Sequence, residues 1–268
     1  MKLEAHHIRA LKGQRQLIQI NVSSAEQAEA AEAAGGIDII VNGEKARWSD
    51  IRKAAPHTHL CLSLRHGEAS SRSDVLRQAF AALEAGADSI YCSLSPRFIE
   101  AMAREGIPVC AHAGLVPPKA RLTGMRGFAK TEEEAKAVFR AVKDFEAAGA
   151  AMVELECVAA PITALISPAT TLTTVSIGSG GGADIQYLFG CDILGEPGFR
   201  PRHARAFDDF AAEYARLQER RIAAFAAFRD AVVAGTYPGT TEVLIAPEPA
   251  ASGFADWLQK LGQETPPD

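Results

Sequence analysis

The fold class can be inferred from one short segment, Ala147-Ala-Gly-Ala-Ala-Met-Val-Glu-Leu-Glu156. Its first residues end a helical segment with small side chains and a glycine, and its later residues form an apolar run typical of a strand. The same order of helix end, glycine and apolar strand recurs before Ile90 and before Val109. A repeated half-unit of this kind predicts parallel strands joined by right-handed helical crossovers, and therefore an α/β architecture.

About eight strands of this type can be found along the chain. They are predicted at Leu17–Val22, Ile37–Asn42, His59–Leu64, Ser89–Tyr91, Ile107–Cys110, Ala150–Val158, Thr173–Ile177 and Gln186–Phe189. Eight strands predict a closed (β/α)8 barrel, the TIM barrel, and a doubly wound sheet is the alternative. The weak segment at Gln186–Phe189 decides between the two folds, since a barrel needs all eight strands.

The domain prediction is a single barrel domain over residues 1–268 with a C-terminal helical extension at about 201–262. A length of 268 residues suits one barrel of roughly 250 residues. A long amphipathic helix is predicted from Arg202 to about Ala234, with aromatic residues that belong to a core or to an interface. The segment from Pro247 is predicted to dock one more short helix, and residues 264–268 are predicted to be disordered.

The composition argues against several classes of protein. Hydrophobic residues make up 47% of the chain, yet no apolar stretch approaches the roughly 20 residues of a membrane span. The polar amino terminus lacks the apolar segment of a secretion signal, which favours a cytoplasmic location. A net charge of −5 argues against a nucleic-acid surface. The five cysteines include no CxxC pair, and they are interpreted as reduced, buried packing residues.

Two glutamates stand two residues apart in the apolar run, Glu154 and Glu156. Side chains two apart on a strand share a face, so both should point to the same side of the sheet. Buried carboxylates are costly unless they are paired, hydrogen-bonded or bound to a metal, which makes this strand a candidate site with coupled titrations. The alternative is an exposed edge strand, or a nearby Lys or Arg that neutralises both acids.

The mouth formed by the carboxyl ends of the strands is where a parallel barrel carries its active site. Polar residues and glycines follow the predicted strands there: Glu44, Ser63, Ser93, His112, Glu156 and the glycine run 178–182. The glycine run could present backbone N–H groups to an anion, or it could be a flexible linker. His112 could be either structural or catalytic on its position alone.

Several ordered motifs between about residues 17 and 240 resemble the ketopantoate hydroxymethyltransferase family. They are Gly106-Ile-Pro-Val-Cys-Ala-His-Ala-Gly-Leu-Val-Pro117, Gly124-Met-Arg-Gly-Phe-Ala-Lys130, Leu155-Glu-Cys-Val158, Ser176-Ile-Gly-Ser-Gly180, Asp192-Ile-Leu-Gly195 and Gly235-Thr-Tyr-Pro238. The resemblance implies a barrel of the phosphoenolpyruvate mutase and isocitrate lyase group. It also implies Mg²⁺, an α-keto acid enolate, 5,10-methylenetetrahydrofolate as co-substrate and a homo-oligomer. Glu156 matches the family's base, and His112 matches its substrate-contacting histidine.

The departures from the family pattern fall on the metal site. Where the family has an acid and a serine after strand two, this chain has Glu44 and Lys45, and Ser63 stands where the family has an aspartate. Tyr91 and Ser93 stand where the family has a lysine and a glutamate. Glu154 is an additional acid. The predicted metal ligands are therefore Glu44 with Glu154 or Asp184, and the predicted substrate-binding residues are Ser63, Ser93, Lys45, Tyr91 and Gly180.

Three functions remain open from the sequence. The first is an enzyme that carries out hydroxymethyltransferase-like aldol chemistry on an α-keto acid of the 3-methyl-2-oxobutanoate type. The second keeps the enolate but performs a retro-aldol or other carbon–carbon lyase reaction on a different oxo acid. The third is a non-catalytic relative that binds a small acid.

Overall fold

The computed structural model describes residues 2–264, and in it eight parallel strands form a closed barrel in chain order, with β8 beside β1. The strands are β1 Leu17–Asn21, β2 Ile39–Asn42, β3 His59–Ser63, β4 Ser89–Tyr91, β5 Val109–Gly114, β6 Met152–Glu156, β7 Thr173–Ile177 and β8 Ile185–Phe189. The predicted (β/α)8 barrel is confirmed. The doubly wound alternative is wrong, because five residue pairs join β8 to β1 and close the sheet.

Helices follow most of the strands. They are α1 Ala5–Ala10, α2 Ala25–Ala34, α3 Trp48–Ala54, α4 Arg72–Glu84, α5 Pro96–Arg104, α6 Ala120–Thr123, α7 Glu132–Ala147, α8 Ala160–Ile166, α9 Gly190–Leu194, α10 Phe210–Val233 and α11 Glu248–Glu264. Side-chain caps define where two of the long helices begin, because Ser24 accepts a hydrogen bond from the amide of Gln27 and Thr131 from that of Glu134.

The strand period of two separates the barrel interior from the layer between strands and helices. On β6, Met152 packs into the interior cluster, whereas Val153 and Leu155 pack into the outer cluster with the helices. Glu154 therefore points into the barrel on the same side as Met152. Burial of Val153 and Leu155 on the outer face rules out the exposed edge strand as an account of the two glutamates.

The interior is closed at the amino ends of the strands. Ile8 of α1 is buried against the interior cluster, and the buried His59 contacts Ser89 at 2.8 Å from its Nε2. Cys61 and Cys110 fill the middle of the barrel as buried thiols, as the sequence indicates. Cys191 does not fit that interpretation, because it is exposed at the start of α9.

Two compact units divide the chain, Met1–Ala211 and Ala212–Asp268. The first contains the barrel, and the second contains α11 and most of α10. The prediction of one barrel domain with a helical extension at about 201–262 stays a prediction. Helix α10 begins at Phe210 and not at Arg202, because Asp208 and Asp209, residues that favour helix starts, precede it.

Residues 265–268 lie outside the described part of the chain, and with them most of the segment predicted to be disordered. Glu264 is instead the last residue of α11. Across the described residues, every helix is too short or too polar to cross a lipid bilayer.

Candidate active site

A cavity of about 270 Å³ opens at the carboxyl ends of the strands. Strands β1 to β6 and β8, with the loops that follow them, contribute its walls. It is lined by Asn21, Val41, Ser63, Leu64, His66, Tyr91, Ser93, His112, Pro117, Pro118, Glu154, Glu156, Tyr187 and Phe189. This is the end of a parallel barrel where active sites lie.

The centre of the cavity is a cluster of one imidazole and two carboxylates. The register of β5 and β6 places His112 beside Glu154 and Gly114 beside Glu156. His112 Nε2 lies 3.1 Å from Glu156 Oε2 and 3.5 Å from Glu154 Oε1. Neither contact has hydrogen-bond geometry, and Glu154 Oε2 is also without a hydrogen-bond partner among the described residues.

Tyr91 reaches this cluster from β4. Its hydroxyl forms a short hydrogen bond with His112 Nδ1 and lies 3.5 Å from Glu154 Oε1. The ring nitrogen that faces Tyr91 is thus occupied, so the other nitrogen, Nε2, is the one left facing the carboxylates. Tyr91 thereby orients the imidazole, as a hydrogen bond to the second nitrogen generally does.

Burial and neighbouring charges shift the pKa values of the side chains in the cluster. Burial raises the pKa of Glu154 to about 7; Glu156 adds to this rise, while His112 and the Tyr91 hydroxyl oppose it. Burial lowers the pKa of His112, but the charges of Glu154 and Glu156 outweigh it and leave that pKa raised. Burial and the neighbouring Glu154 hold the pKa of Tyr91 well above its usual value. The cluster can therefore hold or release protons near neutral pH.

Gly114 permits the close approach of β5 to Glu156. Its φ is +84°, and a Cβ there would lie 2.4 Å from the Glu156 carbonyl oxygen and 2.7 Å from Val158 Cγ2. A side chain at this position would meet both a strained backbone and a fixed neighbour.

We expect Gly114→Ala to lower the free energy of unfolding by about 2 kcal/mol more than a matched control. The control is Gly124→Ala, because Gly124 has a similar φ of +76° but nothing within 4 Å of the added Cβ. Urea unfolding of both variants measures the difference. Equal losses would show that the contact with Glu156 is relieved at little cost.

Several predicted substrate-binding residues come together in this cavity. Ser63, Tyr91 and Ser93 line it with His112 and Glu156. His66, Asn21 and Tyr187 also line it, and sequence reasoning missed them. Asn21 and Tyr187 carried a usable signal, since both lie in predicted strands near the carboxyl end, whereas His66 lies in a loop whose path the sequence does not define.

Other predicted residues lie elsewhere. The Glu44 side chain is 60% exposed, forms an ion pair with Arg47 at 2.6 Å, and does not line the cavity. Lys45 is exposed beside it and does not line the cavity either. Gly180 lines a second cavity, of about 640 Å³, with Ile18 and Ile20 of β1.

Asp184 precedes β8 and lies at the opposite, amino end of the strands. Its carboxylate accepts hydrogen bonds from Lys12 at 2.7 Å and from the amide and hydroxyl of Thr174 at 2.8 Å. Asp184 does not fit the suggested metal site with Glu44, because its carboxylate is held by Lys12 and Thr174 at the amino end of the strands, whereas Glu44 follows the carboxyl end of β2.

The glycine run after β7 is a tight connection within the barrel. Ser176 and Gln186 donate hydrogen bonds to the carbonyl oxygen of Gly180, at 2.8 and 3.1 Å. The Ser179 hydroxyl donates to the carbonyl of Leu155 at 2.7 Å. These bonds argue against the flexible-linker interpretation.

A metal ion could be held by the central cluster. His112, Glu154 and Glu156 each offer one ligand atom, and these atoms lie within 4.8 Å of one another. Of the metal ligands predicted from the sequence, Glu154 is in this group and Glu44 is not.

Comparisons of the sequence with known proteins all identify one family of enzymes. A family model described as ketopantoate hydroxymethyltransferase matches residues 45–240. The 3-methyl-2-oxobutanoate hydroxymethyltransferase of Pyrococcus furiosus is 34% identical over 168 residues, which cover 61% of this chain and 57% of that protein. The enzyme of the same name from Enterococcus faecalis is 39% identical over 167 residues, covering 61% and 55%.

The chain spans a little over half of the length of these curated relatives. Among solved structures, a putative phosphonomutase and a putative lyase/mutase from Burkholderia cenocepacia are similar, with TM-scores of 0.54 and 0.53. Each is 16% identical; the first comparison covers 84% of this chain and 98% of the other, and the second covers 94% and 95%. At this identity the likeness supports the barrel fold alone.

Proposed function

Because the chain belongs to the ketopantoate hydroxymethyltransferase family, we propose that it transfers a hydroxymethyl group to an α-keto acid of the 3-methyl-2-oxobutanoate type. The observation that carries the proposal is the position of Glu156 beside His112 in a small cavity at the carboxyl ends of the strands. A location in the cytoplasm and the use of 5,10-methylenetetrahydrofolate as one-carbon donor belong to the same proposal.

The first step is proton removal from C3 of the keto acid. The Glu156 carboxylate takes this proton, and the C3–H electron pair becomes the carbon–carbon double bond of the enolate while negative charge moves to the C2 oxygen. The hydroxyl groups of Ser63 and Ser93 line the same cavity and serve as donors to that oxygen.

The second step forms the new bond. C3 of the enolate attacks the methylene carbon of 5,10-methylenetetrahydrofolate, one of that carbon's two C–N bonds breaks, and the C2 carbonyl is restored. The second C–N bond then breaks, tetrahydrofolate leaves, and water supplies the hydroxyl of the new hydroxymethyl group. A cavity of about 270 Å³ suits a small keto acid, so a folate would lie largely in the open mouth.

The Mg²⁺ position that the family resemblance implies does not fit this chain. Of the three positions where the family has acids, one is the exposed Glu44, outside the cavity. The other two are Ser63 and Ser93, whose neutral hydroxyls are weak replacements for carboxylates. Mg²⁺ at the ends of β2 and β3 therefore has no part in the proposed mechanism.

The two other functions considered from the sequence are not favoured by the comparisons. Relatives with 34% and 39% identity are named as hydroxymethyltransferases, not as lyases or binding proteins.

Proton exchange tests the proposal directly. Incubated with 3-methyl-2-oxobutanoate in D₂O without a one-carbon donor, the protein should replace the C3 proton by deuterium, as followed by proton NMR. Exchange no faster than in buffer alone would overturn the proposal.

We also infer that the chain self-associates. Helix α10 has no buried side chain, and Ile222, Phe225 and Phe228 are 55–74% exposed. Exposed apolar residues at helical spacing commonly mark protein–protein contacts.

Light scattering at micromolar concentration should give a mass above that of one chain, and Phe225→Glu should reduce it. Leu122→Glu is the control, since Leu122 is an exposed apolar residue on α6, in the other compact unit. A monomer before any substitution would contradict this inference.

A further inference from the structure

We propose that His112, Glu154 and Glu156 bind one divalent ion of a first-row transition metal, on β5 and β6 instead of at the ends of β2 and β3. The site shares the cavity of the proposed function but does not depend on the proposed reaction.

Spacing of the three side chains supports chelation. Two ligands of one metal, each bound at about 2.0–2.2 Å, lie roughly 3.0–3.5 Å apart in tetrahedral or octahedral geometry. The distances from His112 Nε2 to the Glu156 and Glu154 oxygens are 3.1 and 3.5 Å. His112 Nε2 is therefore already at chelating distance from both carboxylates, and the ligand atoms of all three residues lie within 4.8 Å of one another.

Two buried atoms of the cluster, one on His112 and one on Glu154, have no hydrogen bond among the described residues. His112 and Glu154 are each 3% exposed, yet His112 Nε2 and Glu154 Oε2 have no hydrogen bond among the described residues. Buried polar atoms in native proteins are nearly always satisfied, so an unsatisfied pair in one cluster indicates a missing ligand.

The charge of the cluster points to a cation as that ligand. Two carboxylates share a small cavity with one imidazole, and neither Lys nor Arg is among the residues that line it, so His112 can supply at most one positive charge against two negative ones. Burying an unpaired carboxylate is costly, and a bound divalent ion would neutralise both.

The donor set indicates which metals fit. Imidazole with two carboxylates suits Mn²⁺, Fe²⁺, Co²⁺ or Zn²⁺, whereas Mg²⁺ prefers a shell of oxygen ligands alone. His112 is well placed for this role, because Tyr91 holds Nδ1 and orients the ring so that Nε2 faces the carboxylates.

Metal binding and proton transfer at Glu156 are compatible. A glutamate that binds a metal through one oxygen keeps a second oxygen, which remains available to accept a proton.

Cobalt titration tests the proposed site. The full chain, treated with a chelator and dialysed, should bind one equivalent of Co²⁺ with visible absorption bands, and excess Mg²⁺ should not displace it. Glu154→Gln should weaken Co²⁺ binding at least about tenfold, and Glu44→Gln should leave it unchanged. Circular dichroism checks that both variants are folded.

Two results would overturn the site: no saturable Co²⁺ binding below about 1 mM, or equal affinity in Glu154→Gln and the unsubstituted protein. The experiment also separates this site from the proposed reaction. If the protein catalyses proton exchange but does not bind Co²⁺, only the proposed metal site is wrong. If it binds Co²⁺ but does not catalyse exchange, only the proposed reaction is wrong.

Discussion

Glu156→Gln is expected to slow C3 proton exchange on 3-methyl-2-oxobutanoate by about 100-fold or more. Glutamine keeps the size of the side chain but cannot accept a proton from carbon. The Glu156 side chain is 15% exposed at the cavity, so the substitution removes a functional group without emptying a packed position. The rate of loss of the C3 proton signal in D₂O gives the measurement.

Glu44→Gln serves as the matched control for this prediction. It removes the same charge from an exposed position outside the cavity, and exchange should stay within about twofold of the unsubstituted rate. Full exchange activity in a folded Glu156→Gln protein would show that another group takes the proton, and the mechanism proposed for Glu156 would then be wrong.

Glu154→Gln is expected to raise the stability of the chelator-treated protein increasingly as the pH rises. The pKa of Glu154 in the folded chain is about 7, against an ordinary value of 4.5. Between these values the unfolded chain has lost a proton that the folded chain keeps, so folding becomes less favourable as pH increases. The pKa difference lowers the free energy of unfolding by about 3 kcal/mol at most at high pH. Glu154→Gln removes this loss, because glutamine does not ionise.

Urea unfolding at about pH 4.5 and pH 8 measures this effect. The stability of Glu154→Gln relative to the unsubstituted protein should increase by about 2–3 kcal/mol between the two pH values. Glu44→Gln should show no such increase, because its exposed carboxylate stays in water in both states. A pH-independent difference for Glu154→Gln would mean that this carboxyl ionises in the folded protein at its ordinary pKa.

Glu154 and Glu156 have different environments although they lie two residues apart on one strand. Glu154 lies deeper in the barrel and Glu156 lies nearer the mouth, because the strand advances by about 6.6 Å over two residues. Depth decides the difference in environment, since Glu154 is almost fully buried and Glu156 retains access to the cavity.

Closure of the barrel depends on the pairing of β8 with β1, but the alternation of strands and helices and the central strand of the site can be predicted from the sequence. The repeated order of helix, glycine and apolar strand is local, and each unit can be recognised within about a dozen residues. The two-residue period likewise placed Glu154 and Glu156 on one face, since that relation depends only on the geometry of a single strand.

Packing between distant segments determines which other residues join those two acids. His112 meets them through the register of β5 and β6, and Tyr91 reaches His112 from β4. The fold also leaves Glu44 outside the cavity and places Asp184 at the amino end of the strands. Strand register and loop direction are set by packing between segments distant in sequence, so a local pattern cannot report them.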